Sequence, residues 1–149
     1  MKNSILIIFV ALLTLNLSCA QQTENEVNTL DNPPFMAELI IDELQTPWGF
    51  AFLPDGSMLI TEKAGQLIHY KDGQKNIVNN SPTVYVRGQG GLLDVSLSPD
   101  YAETGWVYFT YSHPTKEGAT TALARAKISE NTLTDWQDLL ISDASSHRG

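Results

Sequence analysis

Two stretches hold the side chains best suited to chemistry: His147 in Ser146-His147-Arg148-Gly149, and Gln89 in Arg87-Gly88-Gln89-Gly90-Gly91. Histidine is the side chain best poised to take or give a proton near neutral pH. The glycines around Gln89 let backbone come close to a ligand or a neighbouring element. That loop is no phosphate cradle, because no Gly-Lys-Ser/Thr follows and no helix opens after it. On residue type alone, a solvated loop and an exposed histidine are the plainer readings. The other two histidines read as structural: His69 alternates with Ile68 and Tyr70 in a strand, and His113 falls in a Ser112-His113-Pro114 turn. Asp94 follows two leucines in an inner strand, where a carboxylate is costly unless hydrogen-bonded, so it reads as a tie to a turn or a neighbouring unit. Trp48, Trp106, Tyr108, Phe109 and Tyr111 read as strand packing. No His, Asp and Glu spacing makes a metal site, and the single Cys allows neither an internal disulfide nor a cysteine-based zinc site.

The elements that must position these residues are short strands joined by tight turns. Ala37 to Ile41 is β-prone, and Gly49 to Leu53 runs into the turn Pro54-Asp55-Gly56. Ser57 to Glu62 and Gln66 to Tyr70 follow, separated by Ala64-Gly65 and closed by Lys71-Asp72-Gly73. No window sustains a helical period, so the chain is expected to be all-β and antiparallel. Phe52-Leu53-Pro54-Asp55 recurs as Leu97-Ser98-Pro99-Asp100, an offset of 45 residues, and the strands on either side recur with it. A period near 45 with about four strands per unit is the signature of β-propeller blades. The second blade should continue with Thr120 to Ile128 and Gln137 to Ile141. A sandwich also uses short strands, but it gives no reason for two units to share a strand–Pro-Asp–strand pattern. In a propeller the loops before the innermost strands converge on one face. Gln89 lies in such a loop, and if Gly149 corresponds to Gly91, His147 falls at the position of Gln89 one blade later.

Composition bounds the partners and the location. Hydrophobic residues make up 42% of the 149 and charged ones only 17%, which excludes a disordered chain. The net charge of −8 argues against nucleic-acid binding. Residues 1–20 read as a secretory signal, with Lys2 before the apolar run Ile5 to Leu15 and small residues Ser18-Cys19-Ala20 after it. Leu15-Asn16-Leu17-Ser18-Cys19 resembles a bacterial lipobox, so a lipid anchor at Cys19 is the membrane attachment to expect; the competing reading is a chance cysteine before cleavage after Ala20. Either way the product is exported, to the periplasm or as an outer-membrane or cell-surface lipoprotein. Residues 21–36 suit a flexible tether, and residues 37–149 the N-terminal part of the propeller, about its first two to three blades.

Thr46 to Gly56, Leu59-Ile60-Thr61-Glu62-Lys63, Gly88 to Val95, Ser98-Pro99-Asp100-Tyr101 and Val107 to Ser112 together resemble the glucose/sorbosone dehydrogenase family. That resemblance implies a six-bladed propeller carrying pyrroloquinoline quinone (PQQ) over its channel, and an enzyme that oxidises the C1 hydroxyl of an aldose sugar to a lactone. It implies that His147, in a His-x-Gly pattern, is the catalytic base and that Gln89, in Gly-Gln-x-Gly-Leu-Leu, contacts the cofactor region. The lysine and arginines that hold the cofactor's carboxylates, and the calcium ligands, are expected after Gly149, together with an external electron acceptor. Ser146 stands where some glucose dehydrogenases carry aspartate, which favours the broader aldose branch. This stretch by itself is expected to be inactive. A non-catalytic propeller of the same family, binding a glycan or protein partner at the cell surface, is the alternative; a lactone hydrolase would need a set of metal-binding carboxylates that the stretch lacks.

Overall fold

The computed structural model describes residues 35–146, and the compact unit considered below begins at Leu39. The expected signal segment, Cys19, nearly all of the expected tether and His147 lie outside the described residues. Strands β1 (Pro47–Phe52), β2 (Met58–Glu62), β3 (Leu67–Lys71) and β4 (Gln74–Val78) form one antiparallel sheet in chain order. Strands β5 (Leu92–Leu97), β6 (Val107–Thr115), β7 (Gly118–Ser129) and β8 (Thr132–Ile141) form a second sheet in the same order. These are two blades of a propeller, each a four-stranded meander. The one described helix, α1 (Tyr101–Thr104), is a single turn between β5 and β6.

Turn chemistry sets the registers. Asp72 and Gly73 both have positive φ and join β3 to β4, as a two-residue hairpin turn requires. Glu130 and Asn131 do the same between β7 and β8. The recurring Pro-Asp pair serves each blade through its carboxylate. Asp55 accepts hydrogen bonds from the backbone N–H and the hydroxyl of Ser57, at 3.1 and 2.6 Å. Asp100 accepts from the hydroxyls of Ser98 and Thr104. The Lys71 ammonium, 2.8 Å from Asp55, and then Ser57 hold that carboxyl well below the usual carboxylate range. Ser98 is the main cause of the similar lowering at Asp100.

The core lies between the blades. Leu59, Leu67 and Val78 of the first sheet meet Val95, Phe109 and Tyr111 of the second, with Ala122, Ala124 and Ala126 keeping β7 thin enough for close approach. Trp136 stacks on Phe109 at 5.6 Å between ring centres. Burial and the Asp138 carboxylate push the Tyr111 phenol up, so it remains a donor to Asp138 at 2.8 Å.

Three expectations change. Ala37 to Ile41 forms no strand. Residues 39–46 are instead held by side chains of the first sheet, with Tyr70 donating to the Ile40 carbonyl and Lys75 to that of Asp42, each at 3.0 Å. His113 lies inside β6 and not in a turn. Pro114 does not end that strand, because β5 pairs with β6 only as far as Tyr111 and leaves no partner there for the missing N–H. Among the aromatic residues read as packing, Phe109 and Tyr111 are buried, whereas Trp48 is exposed.

Candidate functional site

The loop carrying Gln89 is fixed from both sheets. Gly90 N–H closes a turn onto the Arg87 carbonyl at 2.7 Å, and Gly88, with φ of +56°, supplies the left-handed residue inside it. From the second sheet, Ser112 N–H donates to the Gly91 carbonyl at 2.8 Å and the Ser112 hydroxyl accepts from Gly91 N–H at 3.2 Å. From the first sheet, the Lys63 carbonyl accepts Leu92 N–H at 3.1 Å, and the Lys63 ammonium donates to the Gly88 carbonyl. Lys63 is itself anchored through its N–H to Thr46. Contact at this joint is so close that a Cβ on Gly91 would lie 2.2 Å from the Lys63 carbonyl oxygen. Gly-Gly therefore follows Gln89 for a steric reason, and the glutamine side chain is left exposed, without a hydrogen bond to any described residue.

Next to this joint the inner strands of the two blades meet. Gly49 N–H donates to the Thr61 hydroxyl at 3.0 Å, and that hydroxyl donates to the Leu93 carbonyl. Asp94 accepts Val95 N–H at 2.9 Å and lies against Gly49, where an added Cβ would come within 2.4 Å of its carboxylate. The carboxylate is exposed and ties no turn; it closes onto the next N–H of its own strand, at the irregularity between Leu92 and Val95, and abuts the neighbouring blade at Gly49.

His147 lies outside the described residues, but the residue before it does not. Ser146 exchanges backbone hydrogen bonds with Ala119 at 2.8 and 2.9 Å. Ala119, the second residue of β7, pairs with Pro114, two positions from Ser112, which holds Gly91. The approach to His147 and the Gln89 loop are therefore moored at the same end of the second sheet. His69 sits at the other end of its blade, where Nε2 meets the Ser57 hydroxyl at 2.9 Å and Nδ1 meets Asn131 of the second sheet at 3.1 Å. It latches the blades together, a structural role consistent with its strand pattern. The sequence reading missed Lys63; its signal was the Glu62-Lys63 pair at the end of a strand, and nothing in that pair alone says what the ammonium reaches.

The joint carries one exposed amide at Gln89, the Lys63 ammonium on the Gly88 carbonyl, and Arg87 two residues before Gln89, a donor set favourable to an anionic ligand. Among the described residues no group of three or more His, Cys, Asp or Glu side chains could hold a metal ion.

The family model described as Glucose / Sorbosone dehydrogenase matches residues 44–149. The chain is 40% identical over 98 residues to the aldose sugar dehydrogenase YliI of Escherichia coli strain K12, covering 63% of this chain and 26% of that protein. A solved glucose dehydrogenase superposes with a TM-score of 0.71 at 30% identity, over 75% of this chain and 37% of that one. The PQQ-bound aldose sugar dehydrogenase of Streptomyces coelicolor gives a TM-score of 0.62 at 26% identity, over 70% of this chain and 33% of that one. The chain thus spans between about a quarter and somewhat over a third of these relatives.

Proposed function

The chain belongs to the glucose/sorbosone dehydrogenase family, and from that premise we propose that it forms the N-terminal blades of an exported, quinone-dependent aldose dehydrogenase. The substrate is an aldose, the product its lactone, and the activity belongs to the longer protein of which these blades are part. PQQ, when bound, would supply the electron acceptor for the hydride that leaves C1 of the sugar.

The chain's own residues do the rest. His147 takes the proton of the C1 hydroxyl, so that both hydrogens leave the same carbon–oxygen pair, one as a proton and one as hydride. Gln89 holds its amide toward the cofactor and the sugar. Lys63 and Arg87 add positive charge at that rim, favourable to an anionic ligand in a chain of net charge −8. Calcium ligands are assigned to residues after Gly149. Residues 1–20 direct export, and Cys19 carries a lipid anchor.

The observation that supports this reading best is the clamping of the Gln89 loop by Lys63 from one blade and Ser112 from the next. These bonds fix the backbone on which the Gln89 side chain stands without a ligand. The test is to express the continuous reading frame that contains this chain, reconstitute it with PQQ and calcium, and follow dye reduction with a panel of aldoses. Quinone uptake with aldose-dependent turnover supports the reading. Absence of both would overturn it in favour of a non-catalytic propeller that binds a glycan or protein partner.

A further inference from the structure

Three consecutive residues, Thr61-Glu62-Lys63, close β2 at the point where the first blade meets the Gln89 loop. Two of them turn toward the second blade. The Thr61 hydroxyl donates to the Leu93 carbonyl, and the Lys63 ammonium donates to that of Gly88. Side chains alternate between the faces of a strand, so Glu62 turns the other way. It is only 3% exposed, and no Lys or Arg among the described residues forms a salt bridge with it.

A carboxylate is costly to bury unless it is hydrogen-bonded. This one holds backbone: its Oε1 accepts the Gln45 N–H at 2.7 Å, and a carboxylate accepting from a backbone N–H makes one of the stronger hydrogen bonds. The neighbouring residue repeats the grip, Lys63 N–H donating to the Thr46 carbonyl at 2.9 Å. The chain entering the blade at residues 45–46 is thus fastened to Glu62 and Lys63 by two successive bonds.

On its other side Lys63 carries the loop, through its carbonyl on Leu92 N–H and its ammonium on Gly88. The corner itself is closed. Glu62 N–H donates to the Gln66 carbonyl at 2.8 Å, and Gly65 N–H donates to the Glu62 carbonyl at 2.9 Å. There is no slack between Lys63 and Gly91, where even a Cβ would overlap the Lys63 carbonyl oxygen. A shift of the Lys63 backbone must therefore displace Gly91 and Leu92, because close-packed groups transmit strain.

We propose that Glu62 is a positioning residue for the Gln89 loop. By fixing the chain at residues 45–46 it sets where Lys63 stands, and through Lys63 it sets the backbone that presents Gln89 to the quinone. The proposal rests on the quinone-dependent reading above for what Gln89 meets; the link from Glu62 to the loop stands on the hydrogen bonds alone. Reach matters more than charge in this role. Glutamine keeps an acceptor oxygen at the same distance, whereas aspartate keeps the charge and withdraws it by one methylene.

The test uses the protein from the complete reading frame, first without quinone. Gly90, Gly91 and Leu92 donate their N–H groups to Arg87, Ser112 and Lys63. Hydrogen exchange at these amides should rise at least several-fold in Glu62→Asp and stay at the parental rate in Glu62→Gln. Amides in the middle of β6 and β7 should keep the parental rate in both. Titration with PQQ should then give a dissociation constant raised several-fold in Glu62→Asp and parental in Glu62→Gln. Parental loop exchange in Glu62→Asp overturns the proposal, as does an equal rise in Glu62→Gln. So does a rise spread through β6 and β7, or a Glu62→Asp protein that does not fold, since either marks a role in general stability. Raised loop exchange with an unchanged dissociation constant overturns it as well. A parent that takes up no PQQ overturns the quinone reading alone, because the exchange is measured without it. Quinone uptake beside parental exchange in Glu62→Asp sinks the role of Glu62 and leaves that reading standing.

Discussion

The two blades share a topology but divide the labour. The first has strands of five or six residues and turns an apolar face away from its neighbour, with Phe50 61% and Phe52 62% exposed. The second has strands of up to twelve residues, and its Trp106 is covered by Arg125 and Lys127 at 4.2 and 4.9 Å. Both cations lie over a ring face, an arrangement that hides aromatic surface without a further protein layer. At its long end the second blade holds Gly91 through Ser112 and pairs Ser146 with Ala119. Both blades clamp the Gln89 loop, Lys63 from the first and Ser112 from the second, but the exposed aromatic face belongs to the first alone.

Substitutions can break this division, the largest effect coming from the shared core. Phe109→Ala empties a side chain 1% exposed and stacked on Trp136, and should cost about 3–5 kcal/mol in denaturant melts. Phe50→Ala on the first blade should stay within about 0.5 kcal/mol. A large cost at Phe50 in a longer protein would show that another blade covers this face.

The next effect separates the joint from an ordinary hairpin. Gly91→Ala drives a Cβ into the Lys63 carbonyl and should cost about 2–3 kcal/mol. Gly73→Ala, at a φ of +75° with open space around it, should cost about 1 kcal/mol through backbone strain alone. Equal melting temperatures for the two variants would contradict the tight joint. At the other end, Asn131→Ala removes the cross-blade partner of His69 and should cost about 1 kcal/mol.

The smallest effect is a pH dependence common to both blades. Asp55 and Asp100 are held below the ordinary carboxylate value by their hydrogen bonds, first from Lys71 and Ser98 respectively. A lowered native value means that the unfolded chain takes up the proton first. The stabilisation is therefore complete above the ordinary carboxylate value, about 4, and fades as pH falls through the lower native value. Melting temperature should be level between about pH 7 and 5 and decline below about 4. Asp55→Asn should remove part of that decline, and a profile identical to the parent would contradict the assigned role.

Much of the architecture was legible because local chemistry and global fold agree. The Pro-Asp repeat marks two equivalent turns, and period-2 patterning marks the strands between them. Ala37 to Ile41 misled because β-propensity says nothing about partners, and side chains hold that backbone where no ladder does. His113-Pro114 misled because proline reads as a breaker, whereas here it sits where no N–H is needed. At the site, Gln89 was legible from the glycines around it. Lys63 was not, since its role depends on a contact 25 residues away that no local pattern encodes.

The proposed function turns most directly on His147 as the base of a quinone-dependent aldose oxidation. The most direct measurement is the steady-state rate of aldose-dependent dye reduction by the reconstituted complete protein and by its His147→Ala variant. The account predicts turnover in the parent and a loss of at least about 100-fold in the variant, with quinone uptake and melting temperature unchanged. A variant that turns over at the parental rate would contradict it.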